Sequence, residues 1–140
     1  MAEFNYAKGR ISESIQFISR EMKDFEVEYS KKTWEEYQED NKLQKLIDRT
    51  VENILTALIE VCGTIIAEKG IAAENYSEVL KETAKVFRLN SSEQDALAKL
   101  AAQRNRLAHR YLDFRWQAIK LYKEQRNLIQ KLLSSILEKA

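Results

Sequence analysis

Apolar residues recur every three or four positions along most of this chain, a spacing typical of helices that bury one face. The first run predicts a helix from about residue 4 to residue 25, whose buried positions are Phe4, Ala7, Ile11, Ile15, Ile18, Met22 and Phe25. Thr33 and Glu36 then form a capping-box pattern, which predicts that a second helix starts at Trp34.

The second helix is predicted to be long and central, because its apolar stripe is too wide for one neighbour to cover. The stripe consists of Leu43, Leu46, Ile47, Val51, Ile54, Leu55, Leu58, Ile59, Cys62, Ile65 and Ile66. Gly70 is the expected end, since glycine adopts the left-handed conformation that closes helices. Charged residues interrupt the run at Lys45, Asp48, Arg49, Glu52 and Glu60, so we do not expect a membrane span. Cys62 lies on the stripe and is expected to be a buried, reduced thiol.

Shorter runs predict the remaining helices. A third helix is expected around Ser77 to Phe87, and Asn90, Ser91 and Ser92 are candidate caps for a fourth. After Tyr111 a closing helix should run to about Lys139. Its inward residues are predicted to be Ile119, Tyr122, Ile129, Leu132, Leu133, Ile136 and Leu137. The pattern therefore predicts an all-α, up-and-down bundle of four to five helices.

Composition agrees with this prediction. A chain of 140 residues with 44% apolar content, no proline and three glycines can enclose one helical core, so residues 1–140 are expected to form a single domain. The amino terminus lacks the basic start and apolar run of a signal peptide, and there is only one cysteine. Both features favour a cytoplasmic protein with no membrane partner.

Charge is segregated along the chain although the net charge is only +1. Residues 99–126 contain eight Lys or Arg against two carboxylates, whereas residues 21–60 contain eleven carboxylates against six bases. The basic region also contains Tyr111, Phe114 and Trp116, which suit base stacking. It is a candidate surface for single-stranded RNA. The alternative is an ordinary solvated helix flank. The acidic residues Glu35, Glu36, Glu39 and Asp40 are expected to be structural, at a helix start.

The candidate chemistry lies in residues 104–111, which contain Arg104, Tyr111 and the only histidine, His109. Arg104 falls on the apolar stripe of its helix. It is expected either to pair with Asp48 or Glu52, or to line a cleft and bind phosphate. At about 100° per residue, Tyr111 lies within roughly 20° of Arg104 but His109 lies about 140° away. Either the helix ends near Ala108, or His109 works with an arginine of another subunit.

Several chemistries are excluded. The three glycines cannot form a phosphate-binding loop, and one histidine with one cysteine cannot form a zinc site. We therefore expect no metal and no cofactor. RNA cleavage without metal remains: His109 would take the proton of a ribose 2′-hydroxyl, and Arg104 would stabilise the phosphoryl charge. A second histidine for the leaving group would come from a homodimer. Asn105, Arg106 and Arg110 are candidate phosphate- and RNA-binding residues.

Arg104, four residues, His109, one residue and Tyr111, with Asn105 directly after the arginine, resemble the signature of the HEPN superfamily in its HepT-like toxin branch. The resemblance implies a HEPN-like helical fold, a turn close to the histidine and a homodimer with paired motifs. It also implies a ribonuclease toxin of a prokaryotic toxin-antitoxin pair. Its partner would be a minimal nucleotidyltransferase antitoxin that silences it by transferring AMP to Tyr111.

Two other functions remain open at this point. The chain could be a HEPN domain that binds nucleotide or nucleic acid without cutting it. It could also be a helical protein-interaction module in which Arg104 is the buried partner of an ion pair. For Tyr111, the alternative to modification is a half-buried residue whose hydroxyl binds a nearby carbonyl.

Overall fold

The computed structural model describes the backbone of residues 2–139 and the side chains of residues 9–139. Within this range the chain forms six α-helices, one 3₁₀ helix and no strand. The α-helices are α1 (Ala2–Glu28), α2 (Trp34–Glu39), α3 (Asn41–Glu68), α4 (Tyr76–Val86), α5 (Ser91–Ala102) and α6 (Leu112–Lys139), and the 3₁₀ helix is Gln103–Ala108. The predicted all-α class is confirmed, since the chain is 85% helical. The six α-helices of the described residues exceed the predicted four to five by at least one.

The predicted second helix is divided in two at Asp40. Thr33 and Glu36 form the expected capping box at the start of α2. Asp40 then adopts an extended backbone, with φ −128° and ψ 101°, and its Oδ1 accepts a hydrogen bond of 3.0 Å from the backbone N–H of Leu43. The same carboxylate that we expected near the start of one long helix therefore begins a new one. An aspartate can do so because its side chain replaces the missing intrahelical acceptor.

Two helices end in a left-handed residue. Gly70 has φ +71°, and the N–H of Ile71 donates to Ile66 O at 2.9 Å, which confirms the predicted end of α3. Arg88 has φ +62° after α4, where the N–H of Leu89 donates to Ala84 O at 3.0 Å. The helix end has the same hydrogen bond as the end of α3, but Arg88 is a residue type for which the left-handed conformation is strained.

Helix α3 lies in the centre of the core and packs on α1 and α4. Cys62 is fully buried there, as predicted, and burial raises the pKa of its thiol to about 12. Two residues of the predicted inward faces, Leu46 and Leu137, are exposed, so those assignments were wrong. The predicted buried positions Phe4 and Ala7 lie outside the described side chains.

By length and composition alone, Asn41–Glu68 is apolar enough to cross a membrane, contrary to the inference from its charges. About 56% of its most apolar 18-residue window is buried inside the protein, as the core helix of a bundle would be. Among the described residues it is the only helix that passes this test.

Candidate functional site

The segment that carries residues 104–111 leaves α-helical geometry before the first of them. Asn90 and Glu93 form a capping box at the start of α5, and this helix ends at Ala102. The chain continues as the 3₁₀ helix and then becomes extended at His109, with φ −74° and ψ 145°. The expected turn near Ala108 is therefore present, but the α-helix ends six residues earlier. Long 3₁₀ segments are uncommon and are found at functional hinges.

Arg104 crosses to α3 and is half-buried. Its Nε–H donates to Oγ1 of Thr56 at 2.8 Å, and its guanidinium carbon lies 5.7 Å from the centre of the Tyr76 ring. The ion pair that we considered with Asp48 or Glu52 is absent from the described chain, so that explanation of Arg104 was wrong. The Nη groups of Arg104 have no partner among the described residues.

His109, Tyr111 and Phe114 form an exposed aromatic cluster after the 3₁₀ helix. The His109 ring lies 5.1 Å from Tyr111 and 4.7 Å from Phe114, and the two latter rings are 5.9 Å apart. Arg106 lies 5.7 Å from the Phe114 ring, and Arg110 lies 5.4 Å from the Tyr111 ring. We call this group the aromatic-basic cluster. It offers flat apolar faces next to cations, which suits stacked bases and phosphates.

The His109 ring is held by its own turn. The backbone N–H of Tyr111 donates to His109 Nδ1 at 3.2 Å. A neutral imidazole has a single ring lone pair, so Nε2 carries the proton when Nδ1 accepts this bond. Within this conformation His109 can donate a hydrogen bond from Nε2 but cannot accept a proton there. His109 and Arg104 share no hydrogen bond or ring contact in the described chain.

Tyr111 is 53% exposed, and its hydroxyl has no hydrogen-bond partner among the described residues. The alternative of a half-buried hydroxyl bound to a carbonyl is therefore not what the structure shows. Asn105 is exposed, and Arg106 is exposed with its Nη1 donating to Oε1 of Gln117. Arg110 is also exposed, so all three predicted RNA-binding residues are accessible.

The basic region is less free than its sequence suggests. Arg115 Nη1 binds Asp48 Oδ2 at 2.7 Å, and Arg126 Nη1 lies 3.1 Å from Glu26 Oε2. Lys123 Nζ donates to the carbonyl of Ser30 at 2.7 Å. Arg115 and Arg126 are therefore paired with carboxylates, whereas Lys99, Arg106, Arg110 and Lys120 are exposed and have no carboxylate partner in the described chain.

Trp116 was predicted to be available for stacking, and this prediction was wrong. Its half-buried ring lies 5.8 Å from Trp34 and 5.0 Å from Tyr37, so it packs α6 against α2. Tyr111 and Phe114 are exposed as the prediction required.

A buried polar network fixes the first turns of α6, and the sequence reasoning did not foresee it. The hydroxyl of Tyr37 donates to Asp48 Oδ1 at 2.6 Å, and Arg115 binds the second carboxylate oxygen. Burial raises the pKa of Asp48, although the hydrogen bonds from Tyr37 and Arg115 act to lower it. Burial also raises the pKa of the Tyr37 phenol, and its hydrogen bond to Asp48 raises this pKa further. A polar residue on the wide apolar stripe of α3 was the available signal for such a network.

Thr56 and Tyr76 were also missed. Thr56 lies on α3 two turns after Asp48, and Tyr76 is the first residue of α4. Neither threonine nor tyrosine indicates a functional site by its residue type. Their role becomes visible only from their contacts with Arg104. Among the described residues, no group of three or more His, Cys, Asp and Glu side chains is arranged to hold a metal ion.

Comparison with known proteins is consistent with the geometry. No curated protein matches the chain significantly. The sequence model of a family described as "Ribonuclease HepT-like" matches residues 12–134, which include α3, the 3₁₀ helix and the aromatic-basic cluster. Because this match covers most of the chain, the protein belongs to the HepT-like ribonuclease family of the HEPN superfamily.

Proposed function

We propose that this chain is a metal-independent endoribonuclease, the toxin of a prokaryotic toxin-antitoxin system. In this proposal residues 1–140 form a single domain that acts in the cytoplasm as a homodimer. The observation that carries it is the state of Arg104 within a ribonuclease family: half-buried, held through Nε and free of any carboxylate in the described chain. A guanidinium in that state is suited to bind two oxygens of one phosphate.

Cleavage would proceed by attack of a ribose 2′-hydroxyl. His109 takes the hydroxyl proton, the 2′-oxygen bonds to phosphorus, and the bond from phosphorus to the 5′-oxygen breaks. The leaving oxygen takes a proton from a second His109 in the imidazolium form. Arg104 stabilises the added phosphoryl charge. The products are a 2′,3′-cyclic phosphate and a 5′-hydroxyl, and the two histidines exchange protonation states.

This scheme needs two histidines, whereas the chain has one. A twofold dimer supplies the second, with two motifs facing one cleft. Sedimentation should therefore show a dimer at micromolar concentration. An active monomer would contradict the shared cleft.

The His109 turn places a condition on this chemistry. A histidine that takes a proton at Nε2 must carry its other proton on Nδ1, which now accepts the N–H of Tyr111. The turn must release this hydrogen bond before catalysis, at a net cost of about 0.5–1.5 kcal/mol. We infer that substrate binding opens the turn.

The same observation favours a second function. If the turn stays closed when RNA binds, His109 remains a neutral donor, and the chain is a nucleotide- or nucleic-acid-binding domain that does not cut. The aromatic-basic cluster serves binding equally well in both cases. Cleavage decides between the two functions.

Silencing would act on Tyr111. The nucleotidyltransferase partner would transfer AMP from ATP to its hydroxyl, which is exposed and has no partner in the described chain. The phenol oxygen would bond to the α-phosphorus of ATP, lose its proton to solvent and displace pyrophosphate. Each AMP adds a phosphodiester with about one negative charge, next to Arg110 at 5.4 Å from the Tyr111 ring. The adenylate would compete with RNA for this cluster.

The decisive experiment is an RNA cleavage assay in EDTA. Wild type should cut and leave cyclic phosphate ends, whereas His109→Ala and Arg104→Ala should not, with helical content unchanged. Arg20→Ala, an exposed arginine of α1, is the matched control and should remain active. Full activity of His109→Ala, or complete dependence on added metal, would refute the mechanism.

Adenylation has its own test with the partner enzyme, ATP and magnesium. Tyr111→Phe should stay active as a ribonuclease and gain no AMP by intact mass. Tyr76 is 52% exposed and is the matched tyrosine, so Tyr76→Phe should still be modified. Loss of modification in Tyr76→Phe alone would identify a different acceptor.

A further inference from the structure

Three threonines lie in α3, and one of them behaves differently from the others. Thr50 and Thr64 donate their hydroxyls to the carbonyls of Leu46 and Glu60, four residues earlier, at 2.8 and 3.0 Å. This is the usual arrangement for threonine inside a helix. The hydroxyl oxygen of Thr56 instead accepts the Nε–H of Arg104 at 2.8 Å, 48 residues away. Its contact is therefore a tertiary one.

The hydrogen bond that Arg104 donates to Thr56 determines which N–H groups of the guanidinium remain available to a ligand. Arg has five N–H donors in a rigid plane. Thr56 uses the one on Nε, and the four on Nη1 and Nη2 have no partner in the described chain. Phosphate is bound best by a pair of such donors acting together. The hydrogen bond at Nε therefore leaves the paired donors of Nη1 and Nη2 available for a phosphate.

A second contact restrains the same group from another helix. The guanidinium carbon of Arg104 lies 5.7 Å from the centre of the Tyr76 ring on α4. Thr56 and Tyr76 thus hold Arg104 between α3 and α4. The restraint matters because Arg104 itself lies in a 3₁₀ helix, not in a regular α-helix that would fix its direction.

Thr56 is also a neutral acceptor next to two acidic ones. Asp48 and Glu52 precede it by two turns and one turn on α3, and Asp48 is bound by Arg115 at 2.7 Å. A carboxylate in place of Thr56 would form an ion pair with Arg104 and compete with phosphate. A hydroxyl orients the guanidinium without neutralising it.

We propose that Thr56 is a positioning residue, which orients Arg104 so that its Nη groups meet the phosphate that is cleaved. The inference rests on the proposed ribonuclease function and deepens it. Thr56 does not touch RNA. It acts by limiting the rotation of Arg104, which would otherwise have to be ordered during the reaction.

Kinetics on the chain of residues 1–140 test this role. Thr56→Val keeps the shape of the side chain but removes the acceptor, and we expect kcat to fall about tenfold, equivalent to about 1.4 kcal/mol, while KM changes less than about twofold. Thr56→Ser restores the acceptor and should stay within about twofold of wild type. Thr64→Val removes a hydroxyl from the same helix and should not change kcat. Equal kcat for wild type and Thr56→Val, or equal losses in Thr56→Val and Thr64→Val, would overturn the inference.

A spectroscopic measurement separates this inference from the proposed function. In ¹H–¹⁵N spectra the Arg104 Nε–H, assigned by its absence in Arg104→Lys, should exchange with water more slowly than that of exposed Arg20. The protection should disappear in Thr56→Val and persist in Thr56→Ser. A wild type that cleaves no RNA would refute the ribonuclease function, whereas protection unchanged in Thr56→Val would refute the positioning role regardless of activity.

Discussion

Removal of the Asp48 carboxylate should destabilise the protein more than any change on its surface, because two buried groups depend on it. Asp48 is 11% exposed and Arg115 is 19% exposed, and Tyr37 is fully buried. In Asp48→Ala, the Tyr37 hydroxyl loses its acceptor at 2.6 Å and Arg115 loses its counter-ion at 2.7 Å. The Nε of Arg115 is already buried without a hydrogen-bond partner among the described residues.

The magnitude follows from these contacts. Removing one partner of a fully buried ion pair lowers the free energy of unfolding by about 3–5 kcal/mol. Because this pair is partly exposed, we expect the lower end of that range, about 3 kcal/mol. For a chain of this size that corresponds to a fall in Tm of about 10 °C. Asp24→Ala removes an exposed carboxylate of α1 and should change the free energy of unfolding by less than about 0.5 kcal/mol.

Urea denaturation followed by circular dichroism measures both variants. Burial raises the pKa of Asp48, so desolvation outweighs the attraction of Arg115. The double variant Asp48→Ala/Arg115→Met removes both charges and should be more stable than Asp48→Ala. A loss below about 1 kcal/mol in Asp48→Ala, or simple additivity in the double variant, would show that the network does not stabilise α6.

The pH dependence has a defined sign. A carboxyl group whose pKa is higher in the folded than in the unfolded state stabilises the fold fully at a pH below its unfolded pKa. This contribution is lost as the pH rises through the folded pKa. The free energy of unfolding of wild type, relative to that of Asp48→Asn, should therefore increase as the pH falls from about 7 to about 4. A relative decrease over this range would mean that the Arg115 ion pair dominates.

Three further outcomes are expected. Tyr122→Phe should raise the free energy of unfolding by up to about 1 kcal/mol, measured as a higher urea midpoint. The buried Tyr122 hydroxyl has no partner in the described chain, whereas the ring contact with Phe25 at 5.0 Å is kept in the variant. A destabilised variant would indicate a hidden partner. Cys62, with its pKa raised to about 12, should resist iodoacetamide until the protein unfolds, which mass spectrometry can follow; rapid native labelling would contradict its burial. Arg88→Gly should stabilise the end of α4 by about 0.5–1 kcal/mol, since glycine adopts φ +62° without strain; a lower Tm would show that the arginine side chain matters more than its backbone.

Local features of the sequence were sufficient to predict most helices. Apolar spacing located α1, α3 and α6, and the caps at Thr33 and Asn90 and the stop at Gly70 lie where they were expected. These signals act between residues a few positions apart, so they do not require knowledge of the fold. Arg88, just after α4, shows the limit, because its φ of +62° is a conformation that its residue type does not favour.

The sequence also located the candidate chemistry at residues 104–111, but only the tertiary structure decided how its residues are held. Arg104 was considered as a partner of Asp48 or Glu52, but it binds Thr56, and it is Arg115 that binds Asp48. These partners lie 48 and 67 residues apart. Each residue in an α-helix turns a side chain by about 100°, and a 3₁₀ helix by about 120°. The change of helix type at Gln103 therefore redirects every later side chain, and no local pattern in the sequence predicted that change.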